Sequence, residues 1–165
     1  MSHRHANAAQ IAAFYAAFAR RDPEAMLACY HADIAFSDPV FPDLDRTGVA
    51  AMWRMLCARG KDLAVEASGI EADALTGRAH WVATYTYSAT GRRVVNAIDA
   101  AFEFKDGRIV RHRDRFDLYR WTRQALGWKG ALLGWAPPVQ RQVRAQAAKA
   151  LATWRAKHPG ADHAG

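Results

Sequence analysis

The sequence predicts an α+β domain in which three helices precede a curved, mainly antiparallel sheet and a helical extension follows it. Three observations lead there. Apolar residues recur at helical spacing as far as Cys57, four alternating segments follow between residues 63 and 119, and turn residues join the last three of those segments. A chain of 165 residues can bury one core without disulfides or metal, and a hydrophobic fraction of 51% argues against disorder.

Ile11, Phe14, Tyr15 and Phe18 share one helical face, which predicts a first helix over residues 7–20. Asp22 before Pro23 pairs a capping side chain with a first-turn proline, so a short second helix starts there with Met26, Leu27 and Tyr30 inward. Residues 32–39 alternate as a short strand that Pro39 stops. A loop rich in proline and aspartate then leads to a third helix bearing Met52, Trp53, Leu56 and Cys57.

Strands are predicted over 63–67 (extendable to Ile70), 78–88, 94–104 and 109–119, with Ala89-Thr90-Gly91 and Lys105-Asp106-Gly107 as turns. From Trp121 the chain becomes apolar and punctuated by glycine. Pro137-Pro138 then opens a long helix with Val139, Val143, Ala147, Ala150, Leu151 and Trp154 along one stripe. The expected organisation is one domain over 7–120 and a helical extension over 121–165 packed on it. This basic helix is read as packing on the domain or on a second subunit. Contact with a membrane surface is the lesser reading.

The net charge of +7 raises nucleic-acid binding as a function class. Arg111, Arg113 and Arg115 alternate along one strand, however, and belong to a solvated sheet face. No helix-turn-helix, zinc-finger or RNP-type pattern accompanies them, so nucleic acid is not an expected partner. Cys29 and Cys57 lie in apolar helical contexts and read as buried thiols, and no Cys/His spacing suggests a metal. The start, Met1-Ser2-His3-Arg4-His5, is polar, and no apolar run approaches the ~20 residues of a membrane span; the expected location is the cytoplasm.

The last strand carries the chemistry. Val110, His112, Asp114, Phe116 and Leu118 form one face, against Arg111, Arg113, Arg115 and Asp117 on the other. The more apolar set faces inward and takes His112 and Asp114 with it. Burying two ionisable groups is costly unless they are paired or solvated, so a polar pocket and a structural His–Asp pair are the two readings. On the preceding strand Asn96 shares the apolar face of Ile98, Phe102 and Phe104, which places Asp99 outside. Before that, Trp81, Ala83, Tyr85 and Tyr87 form an aromatic wall suited to a flat ligand. Asp38 ends a strand beside Pro39 and reads either as a turn cap or as a carboxylate at the pocket.

Two helices, the strand Phe36-Ser37-Asp38-Pro39-Val40, a third helix and the long-stranded meander together resemble the NTF2-like superfamily over about residues 7–120. The resemblance is to its SnoaL-like polyketide cyclase and ketosteroid isomerase-like branches, and it implies a cone-shaped fold. In ketosteroid isomerases an Asp-Pro-Val at this place supplies the general base, a role that would fall on Asp38. Where those enzymes have a tyrosine donor on the first helix, this chain has Phe14, with Tyr15 beside it.

Their second aspartate corresponds to Asp99 in an ungapped alignment, or to Ala100 when Gly91 and Phe102-Glu103-Phe104 are matched. The second alignment is preferred because Phe102 and Phe104 need a core. SnoaL-like cyclases place an acid/base aspartate and a histidine on the later strands, which suggests Asp114 and His112. Asn96, His112, Asp114 and the run Trp121-Thr122-Arg123-Gln124-Ala125-Leu126-Gly127 also resemble an uncharacterised bacterial NTF2-like group.

The expected catalytic set is therefore Asp38, His112 and Asp114, and the ligand contacts are Tyr15, Trp81, Tyr85, Asn96 and Phe116, with no metal and no cofactor. The expected function is cofactor-free acid/base chemistry of isomerase, cyclase or hydrolase type on a small hydrophobic or aromatic carbonyl or hydroxy-ketone compound. A non-catalytic ligand-binding module and a protein-interaction domain are the alternatives. The resemblance also implies a homodimer formed through the sheet.

Overall fold

In the computed structural model, which describes residues 5–162, the first three helices each begin where the sequence supplies a cap. The polar start Met1-Ser2-His3-Arg4 lies outside the described residues. The His5 side chain accepts from the Asn7 N–H at the head of α1 (Ala6–Ala19). Asp22 accepts from the Ala25 N–H before α2 (Pro23–Ala28), and Asp45 from the Gly48 N–H at 2.9 Å before α3 (Arg46–Arg59). These helices put Ile11, Phe14, Phe18, Met52 and Trp53 into the core.

Five strands follow the pattern of the sequence: β1 (Tyr30–Ser37), β2 (Ala64–Ala72), β3 (Thr76–Tyr87), β4 (Arg92–Lys105) and β5 (Arg108–Arg115). They form one sheet in the order β1-β5-β4-β3-β2. All neighbours are antiparallel except β1 and β5, which run parallel. The turn between β4 and β5 uses positive φ at both Asp106 and Gly107, as a tight hairpin of right-handed twist requires. On β4 burial alternates without a break, with Val94, Asn96, Ile98, Ala100, Phe102 and Phe104 inward. The α+β class, the helix-first order and the inward set of β4 agree with the sequence reading.

Three details differ from it. Tyr30 does not close the second helix but opens β1, where it pairs with Ile109. At the start of β5 it is Ile109 that is fully buried, while Val110 is only half-buried. The register between β4 and β5 slips there: Phe104 pairs with Ile109 and Glu103 with Arg111, which leaves Val110 as the extra residue of a bulge.

The third difference is the end of the last strand. It stops at Arg115 rather than continuing to Tyr119, because Asp117 caps a new helix by accepting from the Arg120 N–H. This helix, α4 (Leu118–Leu126), packs on β4. The Gln124 side chain accepts from the Val95 N–H at 2.8 Å and donates to the Val95 carbonyl at 3.0 Å. Beyond the end of β5 a side-chain amide thus satisfies backbone groups of β4 that a strand would otherwise pair.

Two further helices complete the chain, α5 (Trp128–Leu133) and α6 (Pro137–Lys157), with a final 3-10 turn over Pro159–Asp162. Helix α6 lies against α3. Of its predicted apolar stripe only Leu151 is buried; Val139, Val143, Ala147, Ala150 and Trp154 are half-buried. Among the described residues no helix is long and apolar enough to cross a membrane.

Candidate functional site

His112 and Asp114 sit two residues apart on the inward face of β5 and are 0% and 4% exposed. His112 Nε2 lies 2.9 Å from Asp114 Oδ1. The other ring nitrogen, Nδ1, lies 2.8 Å from the Tyr30 hydroxyl, and Trp53 Nε1–H donates to that hydroxyl at 3.0 Å. Asp114 Oδ1 takes a second donor, Trp81 Nε1–H, at 3.3 Å.

These partners fix the direction of the chain of bonds. The two indoles can only donate, so Tyr30 accepts from Trp53 and has its own proton left for His112 Nδ1. His112 Nε2–H donates to Asp114 Oδ1. The network ends in a carboxylate oxygen that accepts twice. Aromatic rings enclose it: Phe102 lies 4.5 Å from the His112 ring centre, Phe36 5.1 Å and Phe14 5.4 Å.

The parallel pairing of β1 with β5 is what brings these groups together. It sets Phe36 opposite His112 and Tyr30 opposite Ile109, so Tyr30 reaches across under β5. Trp53 arrives from the inner face of α3. The sequence reading treated Tyr30 and Trp53 as core residues only. The signal that could have found them is valence: a buried histidine needs a partner for each nitrogen, and they are inward Tyr and Trp residues with hydrogen to give.

Tyr15 is buried on α1, its ring 5.8 Å from Trp81, and its hydroxyl has no hydrogen-bond partner among the described residues. Burial holds the Tyr15 hydroxyl pKa well above the usual value, and the charge of Asp114 pushes it the same way. Asp114 Oδ2 takes no hydrogen bond from the described residues, nor does the side chain of buried Asn96. Of these groups the Tyr15 hydroxyl alone is a fully enclosed polar atom without a partner among the described residues, a departure from the rule that buried polar groups are satisfied.

Asp38 follows the end of β1. Its Oδ1 accepts from the N–H groups of Val40 and Phe41 at 2.7 and 2.5 Å, the turn-capping geometry expected before Pro39. Burial nevertheless lifts its pKa from 3.8 to about 6, against the lowering effect of those two N–H groups and with the charge of Asp114 adding to the rise. The hydrogen bonds are those of the turn-cap reading, and the carboxyl that makes them is buried. Tyr85 accepts from Trp121 Nε1–H at 2.7 Å, and its pKa is raised by burial, with the charge of Asp38 acting in the same sense.

Trp121, Leu118 and Ala125 of α4 pack with Val94 in a second, smaller core against which Tyr85 and Phe116 lie. Phe116 is past the end of β5 and half-buried, in the linker to α4 rather than on a strand. Asp99 is on the outer face, where it pairs with His80 at 2.9 Å, as the preferred alignment required. A groove of about 660 Å³ lies elsewhere, between the 40–44 loop and α6, and none of the predicted site residues lines it.

The SnoaL-like domain family matches residues 11–112. The chain belongs to the SnoaL-like family. Solved structures agree with the NTF2-like fold. A Burkholderia pseudomallei NTF2-like protein of unknown function shares 19% identity at a TM-score of 0.65, over 73% of this chain and 98% of its own. A Xanthomonas campestris protein described as a polyketide cyclase shares 25% identity at a TM-score of 0.59, over 74% of this chain and 98% of its own. An epoxide hydrolase from M. tuberculosis, similar to LEH enzymes, shares 22% identity at 0.59, over 78% and 96%. No curated protein matches the sequence. The SnoaL-like match stops at His112, so α4, α5 and α6 lie beyond it.

Proposed function

We propose that the protein is a cofactor-free acid/base enzyme acting on a small, flat carbonyl or hydroxy-ketone compound, with Asp38 as general base. The observation that carries this reading is Asp38 itself: a carboxylate whose burial moves its pKa to about 6, near the range a base needs at neutral pH. A C–H beside a carbonyl gives its proton to Asp38, and negative charge develops on the carbonyl oxygen. Tyr15 is the donor available to that oxygen, since its hydroxyl is buried, neutral and unpartnered. Asp114, held by His112 and Trp81, is the fixed carboxylate that orients a hydroxyl of the ligand, and Asn96 supplies a further polar contact. Similar structures described as a polyketide cyclase and an epoxide hydrolase are in keeping with chemistry of this kind. A homodimer through the outer sheet face belongs to the same reading.

A second reading, a binding module without catalysis, is favoured by one observation. His112 is fully enclosed and both its nitrogens are engaged, so it has no free position from which to move a substrate proton. A thermal-shift screen of aromatic, polyketide-like and steroid ligands on wild type and Asp114→Asn tests for the site. A ligand that raises the wild-type melting point but not the variant's supports it. If nothing binds and the variant melts lower, the polar cluster is structural. Recovery of the ligand unchanged after prolonged incubation would decide for binding alone.

A further inference from the structure

Helix α5 and the turn after it carry a concentration of exposed apolar side chains. Trp128 and Leu132 follow at i and i+4 on one face of α5, Trp135 lies in the turn beyond it, and they are 70%, 63% and 63% exposed; Leu133 is 54% exposed. Singly exposed apolar residues need no explanation, but a cluster with two tryptophans does.

The exposure is built in by the opposite face. A Cβ at Gly130 would fall 2.0 Å from the Thr122 carbonyl oxygen, and one at Gly134 would fall 2.0 Å from Thr122 Oγ1. Helix α5 thus meets α4 with backbone against side chain, and the Tyr119 hydroxyl locks the seam by donating to the Ala131 carbonyl at 2.8 Å. Nothing larger than hydrogen fits on that side, so the helix cannot roll its tryptophans inward.

Charge identifies what covers the patch. Between Leu118 and Ala161 the sequence has eight lysines and arginines and no aspartate or glutamate. Lys129 places its ammonium 5.8 Å from the Trp128 ring centre, and Arg120 and Arg123 are exposed on α4. A second copy docked through the same patch would press two such basic segments together, which like-charge repulsion opposes. None of these side chains lines the groove between the 40–44 loop and α6. Protruding tryptophan and leucine on a basic segment free of carboxylates is the pattern that inserts into a headgroup region and is drawn to it by negative charge.

We infer that the exposed face of α5, with the cations around it, docks the protein on an anionic membrane surface. Flotation of the full chain with vesicles of phosphatidylcholine, with and without phosphatidylglycerol, tests this. The protein floats with the anionic vesicles at low salt and not with neutral ones, and added salt releases it. The combined variant Trp128→Ser, Leu132→Ser, Trp135→Ser lowers binding at least about tenfold with no fall in melting point, since the residues it changes are exposed. Lys129→Glu with Arg123→Glu lowers it while leaving the apolar face intact. The proposal is overturned if the anionic vesicles fail to float the protein or if the serine variant binds as wild type does. It is also overturned if wild type sediments as a dimer that the serine variant abolishes.

Discussion

The Tyr30 hydroxyl lies 2.8 Å from His112 Nδ1, while Nε2 of the same ring faces the acceptor oxygen of Asp114 at 2.9 Å, which places a proton on Nε2. Tyr30→Phe removes the donor to His112 and the acceptor of Trp53 together. Stability should fall by about 2–3 kcal/mol, the cost of leaving buried polar groups unpaired. Nitrogen-15 NMR of wild type should show His112 with a proton on Nε2 and Nδ1 accepting. A ring protonated on Nδ1 would count against the assignment.

Asp38 makes stability depend on pH with a stated sign. Its folded pKa of about 6 stands above the unfolded value of 3.8, so the folded state holds this proton more tightly. Its contribution is therefore fully present below about pH 4 and is lost as pH rises through about 6. The loss is about 3 kcal/mol at 1.36 kcal/mol per pH unit. Asp38→Asn keeps the oxygen that accepts from Val40 and Phe41 but does not titrate. Denaturation from pH 4 to pH 7 should show the variant gaining on wild type across that window. Parallel curves would refute the shift.

For a ligand that the enzyme turns over, Asp38→Asn should lower kcat at least about a hundredfold. The wild-type rate should rise with pH and level off above about pH 6, the deprotonation of the base. Tyr15→Phe should act on kcat more than on KM, since its hydroxyl is assigned to charge that develops during reaction. Full activity in Asp38→Asn would remove the aspartate from its role.

Gly134→Ala tests the seam between α4 and α5. The added carbon meets Thr122 Oγ1 at 2.0 Å and Thr122 Cβ at 2.9 Å, so one helix must move away from the other. Overpacking of this kind costs about 1–3 kcal/mol. Hydrogen exchange should increase in residues 118–134 and stay unchanged in β3 and β4. A variant as protected as wild type would mean that the helices are not in contact.

The parts of this fold written in alternation were legible. Val94 to Phe104 announces its inward face without ambiguity, and the Asp106-Gly107 turn fixes where β5 begins. What was hidden depends on partners distant in sequence. Val110 looked inward because a bulge leaves no mark in a run of alternating residues, and only the register with Glu103 and Phe104 exposes it. Leu118 continued the alternation of β5 by residue type, yet the Asp117 cap and the Gln124 contacts to Val95 turn the chain into a helix. At the site, His112 and Asp114 were found from one strand's parity. Tyr30 and Trp53 were not, because their meeting with His112 depends on the parallel pairing of β1, which nothing local encodes.

That pairing also orders the events of folding. Within this sheet β1 comes before the other strands in the chain yet joins only beside β5, so Tyr30 waits for Ile109 and Ser37 for Arg113. The antiparallel ribbon from β2 to β5 can form from near neighbours in the chain, whereas the β1 edge closes a loop of most of the domain and does so late. Until then the face of α3 that packs on β1 is uncovered, and the chain is at its most vulnerable to aggregation. Substitutions that weaken the Tyr30–His112 contact should therefore lower the yield of folded protein during synthesis more than they lower the melting point of what has folded.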